Sequence, residues 1–146
     1  MTASIVGGVA FLGAEWLALA RELFGNLAPR PGATARVQRV VTGAPDGDVV
    51  FTLALEDGRL VDAALADGDQ PDPDAELTIT TTYADMLGLA SGDIDLSVAV
   101  MQGRAKVAGS TRALLALLPV TRSREFRAAR AALHERTAAP VMPPSG

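Results

Sequence analysis

The segment 48–66, DVVFTLALEDGRLVDAALA, constrains this chain more than any other stretch. Val49, Phe51, Leu53 and Leu55 occupy alternate positions, the period of a strand with one apolar face. EDG then supplies a turn, and RLVDAALA reads as a returning strand with Val61, Ala63 and Leu65 inward and Asp62 outward. An antiparallel ribbon with one wholly apolar face is unstable alone, so a second layer must cover it.

The flanking sequence supplies more of both layers. TARVQRVVTG reads as a strand before the hairpin, joined to it by the turn-rich TGAPDGD, where Asp46-Gly47 favours a tight reversal. ELTITTTY reads as a strand with Leu77 and Ile79 on one face and Thr78, Thr80 and Thr82 on the wet one. RAKVAG is a short strand with Ala105 and Val107 inward, Arg104 and Lys106 outward. The covering layer comes from helical spacings. In GAEWLALARELFGNL, Trp16, Leu17, Ala20, Leu23, Phe24 and Leu27 share a face, and Gly25-Asn26 supplies a stop. YADMLGLASG gathers Met86, Leu87 and Leu89, with Gly92 as a left-handed C-cap. LSVAVMQ is a short helix capped by Asp93 or Asp95. TRALLALL is capped by Ser110, carries Leu114, Leu115, Leu117 and Leu118, and is ended by Pro119. SREFRAARAALHERT adds a last helix with a stripe of Phe126, Ala129 and Leu133. The order predicts an α+β domain with a mainly antiparallel sheet.

At 146 residues the chain can bury a sizeable single core. The expected organisation is an N-terminal extension at 1–13, the main domain at 14–120, a basic C-terminal helix at 121–137 and a flexible tail at 138–146. The opening MTASIVGGVAFL lacks the basic start of a signal peptide, and Glu15 interrupts the run well short of a membrane span.

Composition removes several chemistries. There is no cysteine and one histidine, His134, so thiolate catalysis, disulfides and multi-histidine metal sites are excluded. Absent cysteine fits a cytoplasmic location. Neither a phosphate-binding glycine loop nor a nucleophile elbow is present. Asp67, Asp69, Asp72, Asp74 and Glu76 lie in a proline-broken loop without the order of an EF-hand, so the expectation is a solvated loop and no metal. No cofactor is implied. Only 4% of residues are aromatic while 49% are apolar, so the interior is aliphatic and suits a flexible hydrocarbon better than a flat cofactor.

Charge is uneven. Residues 1–120 hold 8 Lys/Arg against 15 Asp/Glu, and residues 121–146 hold 5 Arg against 2 Glu. An acidic body argues against nucleic acid. The basic helix has two readings: a solvated face, or a docking surface in which Arg127 and Arg130 meet an anionic membrane or an acidic partner protein.

The helices after Tyr83 carry more aliphatic surface than one sheet face needs. A filled core and an apolar cavity both account for that. Here the order of AELTIT, YADMLGLASGDID, LSVAVMQGRAKVAG and STRALLALLPV, preceded by the strand–turn–strand VVFTLALEDGRL, resembles the sterol carrier protein type-2 domain family over about residues 15–120. The resemblance implies a five-stranded sheet covered by short helices that enclose a hydrophobic tunnel. It implies non-catalytic carriage of a fatty acid, fatty acyl-CoA, sterol or similar lipid. Taken with side-chain alternation, it assigns the tunnel wall to Phe51, Leu53, Leu65, Leu77, Ile79, Met86, Leu89, Val98, Met101, Val107, Leu115 and Leu118. Gly103 would then let the chain re-enter the sheet. Two departures stand out: the helix at 123–137 extends beyond the matching region, and the strand at 34–42 is more charged than is usual in the family. The competing functions are a small tunnel enzyme, with Asp62, Tyr83 and Asp85 as acid–base candidates, and an accessory module for a lipid-metabolising enzyme.

Overall fold

Five strands form one sheet in the order β3-β2-β1-β4-β5 in the computed structural model, which describes residues 8–66 and 72–138. The strands are β1 (Ala35–Thr42), β2 (Val49–Glu56), β3 (Arg59–Leu65), β4 (Leu77–Thr82) and β5 (Lys106–Gly109). The helices are α1 (Ala14–Phe24), α2 (Tyr83–Ser91), α3 (Leu96–Met101), α4 (Thr111–Thr121) and α5 (Arg124–Glu135). The β1–β2, β2–β3 and β4–β5 pairings are antiparallel, but β1 and β4 run parallel, so the sheet is mixed. A parallel neighbour needs a crossover, and the chain makes one through β2, β3 and the acidic loop.

The β2–β3 hairpin follows its turn chemistry. Asp57 and Gly58 both have positive φ, 50° and 83°, the backbone of a tight hairpin turn matched to strand twist. The returning strand departs from simple alternation. Ala54 pairs with Asp62 and Leu55 with Leu60, which leaves Val61 in a bulge and 38% exposed. Leu60, rather than Val61, enters the core. Leu65 sits opposite Phe51 on the inner face, yet it is 44% exposed because β3 is an edge strand and Leu65 is its last residue.

Helix ends follow local chemistry with two departures. Gly92 closes α2 at φ 89°. The Ser110 hydroxyl accepts from the Ala113 amide and caps α4. Ser110→Ala should therefore cost about 1 kcal/mol in urea unfolding. Asp95 precedes α3 without capping it through its side chain; its carboxylate faces Arg130 instead. Pro119 lies inside α4 instead of ending it. The amide it lacks would have met the carbonyl of Leu115, a residue 62% exposed, where water can serve.

The core lies between the inner sheet face and the helices. Trp16 and Leu17 of α1, Val37 and Val41 of β1, Phe51 of β2, and Leu77 and Ile79 of β4 are all buried. Leu12 joins the core just before α1, and Val9 makes a parallel bridge with Thr137. Helix α5 docks through Ala129, Leu133 and the Phe24–Phe126 ring pair, whose centroids are 4.9 Å apart. Of the expected extension and tail, residues 1–7 and 139–146 lie outside the described residues, as do Asp67 and Asp69 of the acidic loop. Asp72 of that loop pairs with Arg36 at 2.7 Å.

Candidate functional site

Helices laid across a twisted sheet do not fill all the space above it. Between them lies a cavity of about 450 Å³. Its floor is the inner sheet face: Val37 and Arg39 of β1, Phe51, Leu53 and Leu55 of β2, Leu60 of β3 and Ile79 of β4. Its roof comes from Trp16, Leu17, Ala20 and Phe24 of α1, Met86, Leu87 and Leu89 of α2, Leu114, Leu117 and Val120 of α4, and Phe126 and Leu133 of α5. Phe11 completes the wall and packs edge-on against Trp16 at 5.3 Å. The volume falls within the usual range for small-molecule sites.

Of the twelve residues assigned to a tunnel wall, five border this cavity: Phe51, Leu53, Ile79, Met86 and Leu89. Leu77 is buried in the core beside it, and Val107 and Leu118 are half-buried elsewhere. Leu65 is exposed at the open edge of the inner face, and Val98, Met101 and Leu115 are exposed as well, with Met101 85% exposed. Helix α3 buries only Ala99, because a helix of six residues fits one small side chain against its neighbours. The walls from α1 and α5 correspond to stripes visible in the sequence as core, with no local mark to distinguish core from cavity.

The three acid–base candidates lie elsewhere. None of Asp62, Tyr83 and Asp85 borders the cavity. Asp62 is exposed on the edge strand. Tyr83 is 5% exposed, and burial raises its phenol above the usual range. One Asp85 oxygen accepts from Arg104 Nη2 at 2.8 Å and Nε at 3.0 Å. Arg104 lies just before β5 rather than within it.

Among the described residues, the cationic side chains that border the cavity are Arg39 and Arg130, and the imidazole of His134 borders it too. Arg130 reaches Asp95 at 3.4 Å and its side chain is only 16% exposed. Arg127 stands 3.9 Å from the same carboxylate. His134 is exposed in the last turn of α5. Arg39 differs from both. Alternation along β1 places it with Val37 and Val41 on the apolar face of the central strand. Its Nε is buried with no hydrogen-bond partner. Its Nη2 donates to Met86 Sδ at 3.2 Å, and the guanidinium carbon lies 5.9 Å from the centre of the Phe51 ring. Burial pushes Arg39 down to about 10, so it remains cationic at neutral pH.

The model of the SCP-2 sterol transfer family matches residues 30–121, from before β1 to the end of α4. The chain belongs to this family. Solved structures agree on the fold. A crystal structure of sterol carrier protein 2 superposes with a TM-score of 0.65 at 18% identity, covering 82% of this chain and 97% of that one. The conserved hypothetical protein TT1886 from Thermus thermophilus gives 0.67 at 20% identity, covering 92% and 97%. Palmitated SCP2L2 from Aedes aegypti gives 0.55 at 18% identity, covering 80% and 96%. A search of curated protein sequences found no match. Helices α1 and α5 lie outside the family match, yet both wall the cavity. No helix among the described residues is long and apolar enough to cross a membrane.

Proposed function

We propose that this member of the SCP-2 sterol transfer family binds and carries a single-chain lipid in its cavity, in the cytoplasm and without chemical change. The observation that carries this reading is the 450 Å³ cavity walled by aliphatic and aromatic side chains from sheet and helices alike. Burying ten methylenes contributes about 8 kcal/mol before ordering costs. Micromolar binding needs about 8 kcal/mol net, so a somewhat longer chain suffices without any polar contact. The similar Aedes aegypti protein was solved palmitated, which supports an acyl chain as occupant.

The enzyme reading has less support. Among the described residues the cavity walls hold no carboxylate, and the three acid–base candidates stand outside it. Docking through Arg127 and Arg130 is also the weaker reading, since Arg130 is turned to Asp95. The test is native mass spectrometry of gently purified protein, then solvent extraction. The expected result is an added mass that extracts as an unmodified lipid. An apo mass unchanged by incubation with fatty acid, acyl-CoA and sterol would reject the carrier reading.

A further inference from the structure

Arg39 is a cation in an apolar cavity without a counter-ion. Among the described residues it has no ion-pair partner, although the outward Arg36 three positions earlier pairs with Asp72 at 2.7 Å. A guanidinium carries five N–H donors. In Arg39 one of them meets a thioether sulfur, a weak acceptor, and the buried Nε–H meets nothing. The Phe51 ring offsets some charge through its face but accepts none of the in-plane hydrogen bonds. Arg39 as a whole is half-buried, but leaving its solvent-excluded Nε–H without an acceptor is costly. What the guanidinium lacks is an anion of planar, two-oxygen geometry, and a carboxylate supplies that with paired charge-assisted hydrogen bonds. No Asp or Glu among the described residues borders the cavity to compete for it.

Building on the carrier reading, we infer that Arg39 selects the head group: the cavity takes a single-chain lipid with a carboxylate head seated on Arg39, in preference to uncharged lipids. The volume agrees. At about 450 Å³ the cavity is within the usual size of a site for one small molecule. The head lies on the central strand between Phe51 and Ile79, and the chain runs among the apolar side chains of α1, α4 and α5.

The test compares palmitate, methyl palmitate, hexadecyl phosphate and cholesterol by displacement of an uncharged fluorescent lipid, on the full chain. Hydrogen bonds to a charged group contribute about 1.5–3 kcal/mol, so the wild type should prefer palmitate to its methyl ester by about tenfold to a hundredfold. Arg39→Leu should abolish that preference by bringing palmitate's affinity down to that of the ester, and Arg39→Lys should keep part of it. Ligand-free Arg39→Leu should also melt at a higher temperature, because a buried N–H without an acceptor is gone from the apolar face. Equal binding of palmitate and ester by the wild type would overturn the role of Arg39 and leave the carrier reading intact. That comparison needs no variant to fold. Tighter binding of hexadecyl phosphate than of palmitate would overturn the carboxylate assignment. Binding of none of the four would overturn the carrier reading itself, and this inference with it.

Discussion

Truncating Phe51 to alanine is expected to cost about 3–5 kcal/mol of folding stability, read as a lower midpoint in urea at unchanged slope. Phe51 is 2% exposed on β2, with Arg39 opposite it on β1 and Leu65 opposite it on β3. Its ring stands edge-on to Trp16, centroids 6.2 Å apart, and so joins the sheet to α1. Few aromatic residues share this work, since they make up only 4% of the chain. The truncation loses the ring's transfer energy and widens a space that already exists. It also removes the aromatic face near the Arg39 guanidinium, which leaves that cation less compensated. Palmitate should restore more of the melting temperature in the wild type than in the variant, because the enlarged floor makes fewer contacts with the chain. A loss under about 1 kcal/mol would mean that the ring borders the cavity too loosely to matter, and that α1 is held by other contacts.

The parts of this fold that local chemistry controls are legible in the sequence. Alternation in β2 and β4, the Asp57-Gly58 turn, the Gly92 closure and the Ser110 cap all depend on residues within a few positions of one another. The parallel β1–β4 pairing is not legible, because its partners lie some forty residues apart and share no turn. Helix faces are legible only where the stripe is long. Four leucines in α4 cover too much of its circumference for spacing to decide which enter the cavity. Leu114 and Leu117 do, while Leu115 faces solvent. In α3, six residues give too few turns for a stripe, and Val98 and Met101 end outside. Family order suggests a tunnel but does not rotate a helix. Arg39 is the instructive case. Its parity with Val37 and Val41 marks it as inward in the sequence itself. An inward arginine in a strand looks like an exception to alternation until the space above it is seen to be open.

Adding one methyl group at Gly109 is expected to cost about 3 kcal/mol or more, and to weaken lipid binding as well. Gly109 ends β5 at φ 111°, a conformation that side-chain-bearing residues rarely adopt. A Cβ there would run into the carbonyl oxygen of Glu76 and stand 3.1 Å from the Leu77 Cα. Both obstacles are backbone, so no rotamer change relieves them. Gly109 pairs with Leu77 across the β4–β5 ladder, and the next amide, Ser110, donates to the same Glu76 carbonyl at 2.8 Å. To make room, β5 must leave β4. The Ser110 cap moves with it, and α4 then shifts Leu114, Leu117 and Val120 in the cavity roof. Gly103→Ala is the control: its φ is 74°, and nothing lies within 4 Å of the added methyl. That variant should show only the left-handed backbone strain, about 1–2 kcal/mol, and keep its lipid affinity. Amide hydrogen exchange should report faster opening of β5 in Gly109→Ala alone. Equal losses in the two glycine variants would show that backbone strain, and not the close approach of β5 to β4, sets the cost. The seating of α4 over the cavity would then not depend on the glycine that precedes it.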